Sequence, residues 1–171
     1  MYNYAGKRNY NRKCSQVIRP LVLSDYCLKC QGCCRFQEEN SIWSPHLLKS
    51  EKHFPPASRR KNSLKLIPQN GLFYCYYYET TKKCCRTYRR RPFECRIYPF
   101  LFCRKENDYY IGLDPQCPLT EEKFFKPRLE AFKKYLFGLS KKPGFKMALI
   151  SNPHLFQDYP KVKAIFPLEL K

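Results

Sequence analysis

Three features of the 171-residue sequence predict a small α+β domain, irregular and metal-centred, with two β-hairpins, a few short helices and a C-terminal helix. Of its 11 cysteines, only Cys14 falls outside residues 27–117. Two aromatic-rich stretches are each interrupted by turn residues, the pattern of a hairpin. A cysteine-free segment that follows carries apolar residues at helical spacing.

Residues 1–24 read as a basic N-terminal extension and residues 25–120 as a cysteine-cluster metal-binding domain. Residues 121–171 read as a C-terminal helix and basic tail, packed on or trailing the core. Within the domain, "IWSPHLLKSEKHF" predicts a short helix. Ser44 suits the N-cap, Pro45 the first helical position, and Leu47 and Leu48 give an apolar edge. "SLKLIPQNGLFYCYYYE" predicts a hairpin turning near Asn70-Gly71, with Cys75 on its second strand. "TTKKCCRTYRRRPFEC" is too charged and irregular for either periodicity. "RIYPFLFCRKENDYYIGL" predicts the second hairpin, turning near Asn107-Asp108. Thr120 is placed to cap a helix opening at "EEKFF", which Pro127 breaks or restarts. "RLEAFKKYLFGL" then continues with Leu129, Phe132 and Leu136 on one face until Pro143-Gly144 stops it.

No apolar run approaches the roughly 18 residues of a membrane-spanning helix, and "MYNYAGKRNYNRK" lacks the apolar stretch of a signal peptide. The expectation is a soluble cytoplasmic protein. In that compartment thiols stay reduced, so a dense, odd-numbered set of cysteines points to metal ligands rather than a disulfide framework. Cys33 and Cys34 are neighbours, and consecutive Cα atoms about 3.8 Å apart are too close for an ordinary disulfide.

"CLKCQGCC" offers Cys27, Cys30, Cys33 and Cys34 within eight positions. In a helix, Cys27, Cys30 and Cys34 would share one face, as a tetrahedral zinc site requires. In an irregular loop, the first three repeat the C-x2-C-x2-C spacing of bacterial iron–sulfur ferredoxins. Either way one cysteine of the adjacent pair points elsewhere, and Gly32 permits the tight turn. A second supply lies at Cys75, Cys85 and Cys95, with Cys117 as a plausible fourth. The two groups serve one site or divide between two, and they would tie both halves of a small domain together.

Charge adds a second theme. There are 33 Lys and Arg against 14 Asp and Glu, a net charge of +19. Arg86, Arg89, Arg90, Arg91 and Arg96 surround Cys85 and Cys95, with Lys82 and Lys83 just before them. Such cations either stabilise thiolates around a metal or form a surface for an acidic partner, nucleic acid or acidic protein. No base-reading zinc finger is present, because His46, His53 and His154 lack the paired spacing. The scattered carboxylates and histidines form no acid–base or nucleophile motif.

"CLKCQGCC", the helix-start "IWSPHLL" and "CRTYRRRPFECRIYP" together resemble the CxxCxxCC zinc- or iron-chelating domain family, the YkgJ-like cysteine-cluster proteins. The family's downstream segment falls on Cys85, Tyr88, Arg91, Pro92, Cys95, Arg96, Tyr98 and Pro99. Cys75 and Cys117-Pro118 match the cysteines before and after it, so the resemblance spans roughly residues 25–120. Thr87 replaces the usual isoleucine, and Cys84 doubles Cys85, which the motif register favours as the ligand. The resemblance implies a metal centre of zinc or iron, an iron–sulfur cluster included. Its ligands would be drawn from Cys27, Cys30, Cys33, Cys34, Cys75, Cys85, Cys95 and Cys117. Tyr88, Arg91 and Arg96 would support it or bind anions. A related domain occurs in flagellin lysine N-methylases, which makes S-adenosylmethionine-dependent methyl transfer an alternative to a structural, storage or nucleic-acid-binding role. No glycine-rich βα turn for such a cofactor is visible.

Overall fold

In the computed structural model, which describes residues 32–51, 53–58 and 61–170, Asn70 and Gly71 sit at φ of 51° and 74°. Two consecutive left-handed residues make the tight turn expected there. They join β4 (Leu66–Gln69) to β5 (Leu72–Cys75), with Gln69 opposite Leu72 and Leu66 opposite Cys75. β1 (Arg35–Phe36) pairs along the other edge of β5, Arg35 opposite Tyr74. A short hairpin of β2 (Pro56–Ser58) and β3 (Lys61–Leu64) precedes this sheet. Another, of β6 (Tyr78–Glu79) and β7 (Cys84–Cys85), follows it. The latter lies partly in the charged stretch that fitted no periodicity. The chain then makes a 3-10 turn at Tyr88–Arg90 and the one-turn helix α1 (Phe93–Ile97).

The second expected hairpin is β8 (Phe100–Lys105) and β9 (Asp108–Leu113), Lys105 opposite Asp108. Its turn is therefore Glu106-Asn107, one residue earlier than expected, with Glu106 at φ of 53°. Arg96 and Ile97 belong to α1 rather than to a strand. β10 (Lys163–Pro167) adds along β9 and completes a three-stranded sheet. Between these strands lie α2 (Lys126–Ser140) and α3 (Pro143–Ile150). Pro127 does not break α2; it sits in the first turn, where a missing N–H costs nothing. Pro143 likewise opens α3 rather than merely ending α2, which already stops at Ser140. Thr120 caps no α-helix. It ends a 3-10 turn, its hydroxyl donating to the Cys117 carbonyl at 2.8 Å.

The predicted helix at "IWSPHLL" is absent. Its segment runs extended beside β3, with His46 bridged to Ser63 and the Leu64 N–H donating to the Pro45 carbonyl at 2.8 Å. Two buried carboxylates hold it. Glu94 accepts the His46 N–H, and Glu51 accepts the Leu48 N–H at 3.0 Å and the Phe93 N–H at 2.8 Å. A helix so short is marginal in water, and these contacts satisfy its backbone in another way.

The main core gathers Phe93, Phe100, Phe102, Ile111, Phe132, Leu136 and Leu149, so α1, β8, β9, α2 and α3 share one interior. Phe93 stacks on Phe102 at 5.5 Å, and Phe132 meets Phe100 at 5.8 Å. Phe132 and Leu136 are buried on the expected face of α2, Leu129 partly so. Each such side chain contributes about 1.5–3 kcal/mol on burial. A smaller cluster of Leu47, Phe54, Leu64, Cys75 and Tyr78 underlies the first sheet. Among the described residues no helix is long and apolar enough to cross a membrane.

Candidate metal centre

Antiparallel pairing of β1 with β5 continues outward to set Cys34 beside Cys75. Cys33 and Cys34 form the 3-10 turn Gly32–Cys34 that enters β1. Cys85 ends β7 opposite Tyr78, and Cys95 lies in the middle of α1. These four chain segments close around one cavity of about 480 Å³, and Cys33, Cys34, Cys75, Cys85 and Cys95 all line it. Cys84, the other half of the doublet, pairs with Glu79 and does not line the cavity. Cys117 is buried in the main core and is not among the lining residues. Cys27 and Cys30 lie outside the described residues, as does Cys14.

The thiols feel one another. The Cys33 thiol is drawn below its ordinary value by a hydrogen bond from Cys34, against the opposing effect of burial, and with help from the Arg91 charge. Cys34, the donor of that bond, is pushed well up, burial adding to the effect. Burial raises Cys75 to about 12 and lifts Cys95 well above its usual range, the neighbouring thiols contributing to both. Burial also raises Cys85, with Arg91 offsetting part of it. Arg91 is the cation that favours the ionised form of both Cys33 and Cys85.

Arg91 lines the cavity with its guanidinium carbon 4.1 Å from the centroid of the Tyr88 ring, which also faces the cavity. Its Nε and Nη2 are buried without a hydrogen-bond partner among the described residues. Arg96 does not line the cavity; its Nη2 stands 3.7 Å from Glu51 Oε1 and so ties α1 to the 44–54 segment. Tyr98 of the downstream motif also lines the cavity, but much of the remaining wall was not read in the sequence: Trp43, Glu94, Asp114 and Tyr159 come from segments scattered between residues 43 and 159. The Tyr98 hydroxyl donates to Asp114 at 2.7 Å, and burial, reinforced by that carboxylate, raises the Tyr98 pKa.

Among the described residues, no three Cys, His, Asp or Glu side chains converge tightly enough to hold an ion. The thiols surround a space rather than a point. Their chemistry nevertheless fits a thiophilic metal: five soft donors share one enclosure, and a buried guanidinium with unpartnered nitrogens faces them. The chain matches no protein-family profile, no curated protein and no solved structure.

Proposed function

We propose that this chain is a cytoplasmic metal-binding protein of the CxxCxxCC type, holding zinc or iron, an iron–sulfur cluster included. Cys33, Cys34, Cys75, Cys85 and Cys95 would supply donors, with Cys27, Cys30 and Cys117 as the further candidates. The observation that carries this reading is the gathering of five thiols from four separated segments around one cavity. Core-filling cysteines have no reason to share an enclosure with a buried arginine, whereas thiolates bound to a cation do. A closed zinc–thiolate site would staple the fold, and an iron–sulfur cluster would add one-electron chemistry. Arg91 and Tyr88 would offset the excess negative charge that several thiolates bring.

The test is metal content together with a visible spectrum on protein purified without oxygen. Stoichiometric zinc without colour, or iron with sulfide and a brown chromophore, is the expected outcome. Cys95→Ser should lose most of that metal and lower the melting temperature, whereas Cys14→Ser should do neither. Metal-free wild-type protein, or full occupancy in the Cys95→Ser variant, would sink the assignment.

A basic surface favours a second role beside the first. Lys83, Arg86, Arg89 and Arg90 are exposed and interleave with cavity residues Cys85, Thr87, Tyr88 and Arg91. Arg86 lies 5.6 Å over the exposed Tyr76 ring, a pairing of cation and aromatic suited to single-stranded nucleic acid.

A further inference from the structure

Helix α3 turns one uncharged face to solvent. At about 100° per residue, Pro143, Gly144, Met147, Ile150 and the following Ser151 fall within about 120° of one another. All five are exposed, Met147 by 59% and Ile150 by 46%, while Leu149 on the opposite side is buried in the main core. No carboxylate occurs from Lys141 to Pro153. Lys141 reaches Glu169 at 3.2 Å. Lys142 and Lys146 flank the face, and among the described residues neither is held in an ion pair.

The backbone of α3 is already provided for. Pro143 has no N–H, and the Phe145 and Lys146 N–H groups both donate to the Lys142 carbonyl at 3.0 Å. At the other end, the Met147 and Leu149 carbonyls accept from the Ser151 and Asn152 N–H groups at 3.0 Å. The Asn152 side-chain amide donates to the Ala148 carbonyl at 2.7 Å. Asn152 is itself buried, and its Oδ1 accepts the Lys49 N–H at 2.8 Å, which fastens this end to the core. Helix ends commonly leave such groups to water. Here they are satisfied within the chain, so the face can leave water at small polar cost.

Size and charge choose the occupant. Two large apolar side chains with small neighbours fall far below the roughly 800 Å² per partner of a stable protein interface. A bilayer asks less: a few apolar side chains at headgroup level, with lysines beside them to meet lipid phosphates. The net charge of +19 favours an anionic surface over a neutral one. We infer that the exposed face of α3 docks on an anionic bilayer, Met147 and Ile150 entering the headgroup region and Lys142 and Lys146 lying at its phosphates. This docking is independent of what the thiols hold.

The experiment sediments the full-length protein, as purified, with phosphatidylcholine vesicles, with and without phosphatidylserine, at physiological ionic strength. The expected result is association with the phosphatidylserine vesicles alone. Met147→Gln combined with Ile150→Gln leaves the charge unchanged and should weaken that association roughly ten- to hundredfold. Both side chains are exposed, so the fold should survive the exchange. The same exchange at Ile42 and Ile67, each 37% exposed, should leave the association unaltered. No association with either vesicle would overturn the inference. Undiminished binding by the Met147 and Ile150 variant would assign the association to net charge alone, and an equal loss from the Ile42 and Ile67 exchange would deny α3 its part; either result overturns it. Binding to poly-glutamate that falls by the same factor in the Met147 and Ile150 variant would make the face a protein site and overturn the bilayer reading.

Discussion

Cys75 and Cys103 are both buried thiols raised to about 12 by burial, yet they stand among different neighbours. Cys75 faces other thiols across the cavity, whereas Cys103 sits in β8 among Leu101, Tyr110 and Tyr159, its thiol donating weakly to the Leu101 carbonyl. The pH consequence belongs to Cys103. Its unfolded thiol ionises near 9.0 and its folded thiol near 12, so the unfolded state loses the proton first. Stability therefore falls as pH rises through that window. Denaturant melts at pH 8 and pH 10.5 should show a smaller alkaline loss for Cys103→Ala than for wild type, even though the variant is weaker at pH 8 from its cavity. At this scale the sequence was legible where a residue type carries its own chemistry. Cysteines announce themselves; Glu94 and Trp43 do not, because nothing in their local spacing distinguishes a cavity wall from ordinary surface.

Among the elements, the hairpins were readable because turn chemistry is local. Asn70-Gly71 could adopt two positive φ angles, and the strands followed. The 44–54 segment was misread because its partners are distant: Glu94 accepts an N–H 48 residues away in sequence. β10 was missed for a similar reason, as its existence depends on a free edge of β9. That edge is tightly filled. Gly112 on β9 has no room for a side chain: a Cβ there would fall on Val162 Cγ1 and within 2.7 Å of Cys103 Sγ. Gly112→Ala should cost about 1–3 kcal/mol by overpacking. At about 2–4 °C per kcal/mol for a chain of this size, thermal melts should show the loss directly. A variant melting with wild type would mean that Val162, just before β10, yields freely.

For the molecule as a whole, α+β architecture and one shared interior follow from patterns already visible, and net charge of +19 from composition. Composition says nothing of where the charge collects, and the fold places exposed Lys83, Arg86, Arg89 and Arg90 beside the thiol cavity. If that face meets a phosphate backbone, affinity for a single-stranded oligonucleotide should drop steeply between 50 and 200 mM salt. Replacing Arg89 and Arg90 with Gln should flatten that dependence. Weak, salt-insensitive association would remove nucleic acid from consideration.

The cavity wall also carries a clock. Its lining begins at Gly32 and is complete only with Tyr159. At 5–20 residues per second, a ribosome needs roughly 6–25 s to make that span. Through that interval the early thiols are present without the enclosure that buries them. A nascent chain therefore carries these thiols unenclosed for most of its synthesis, and the wall that buries them closes only once Tyr159 has been added.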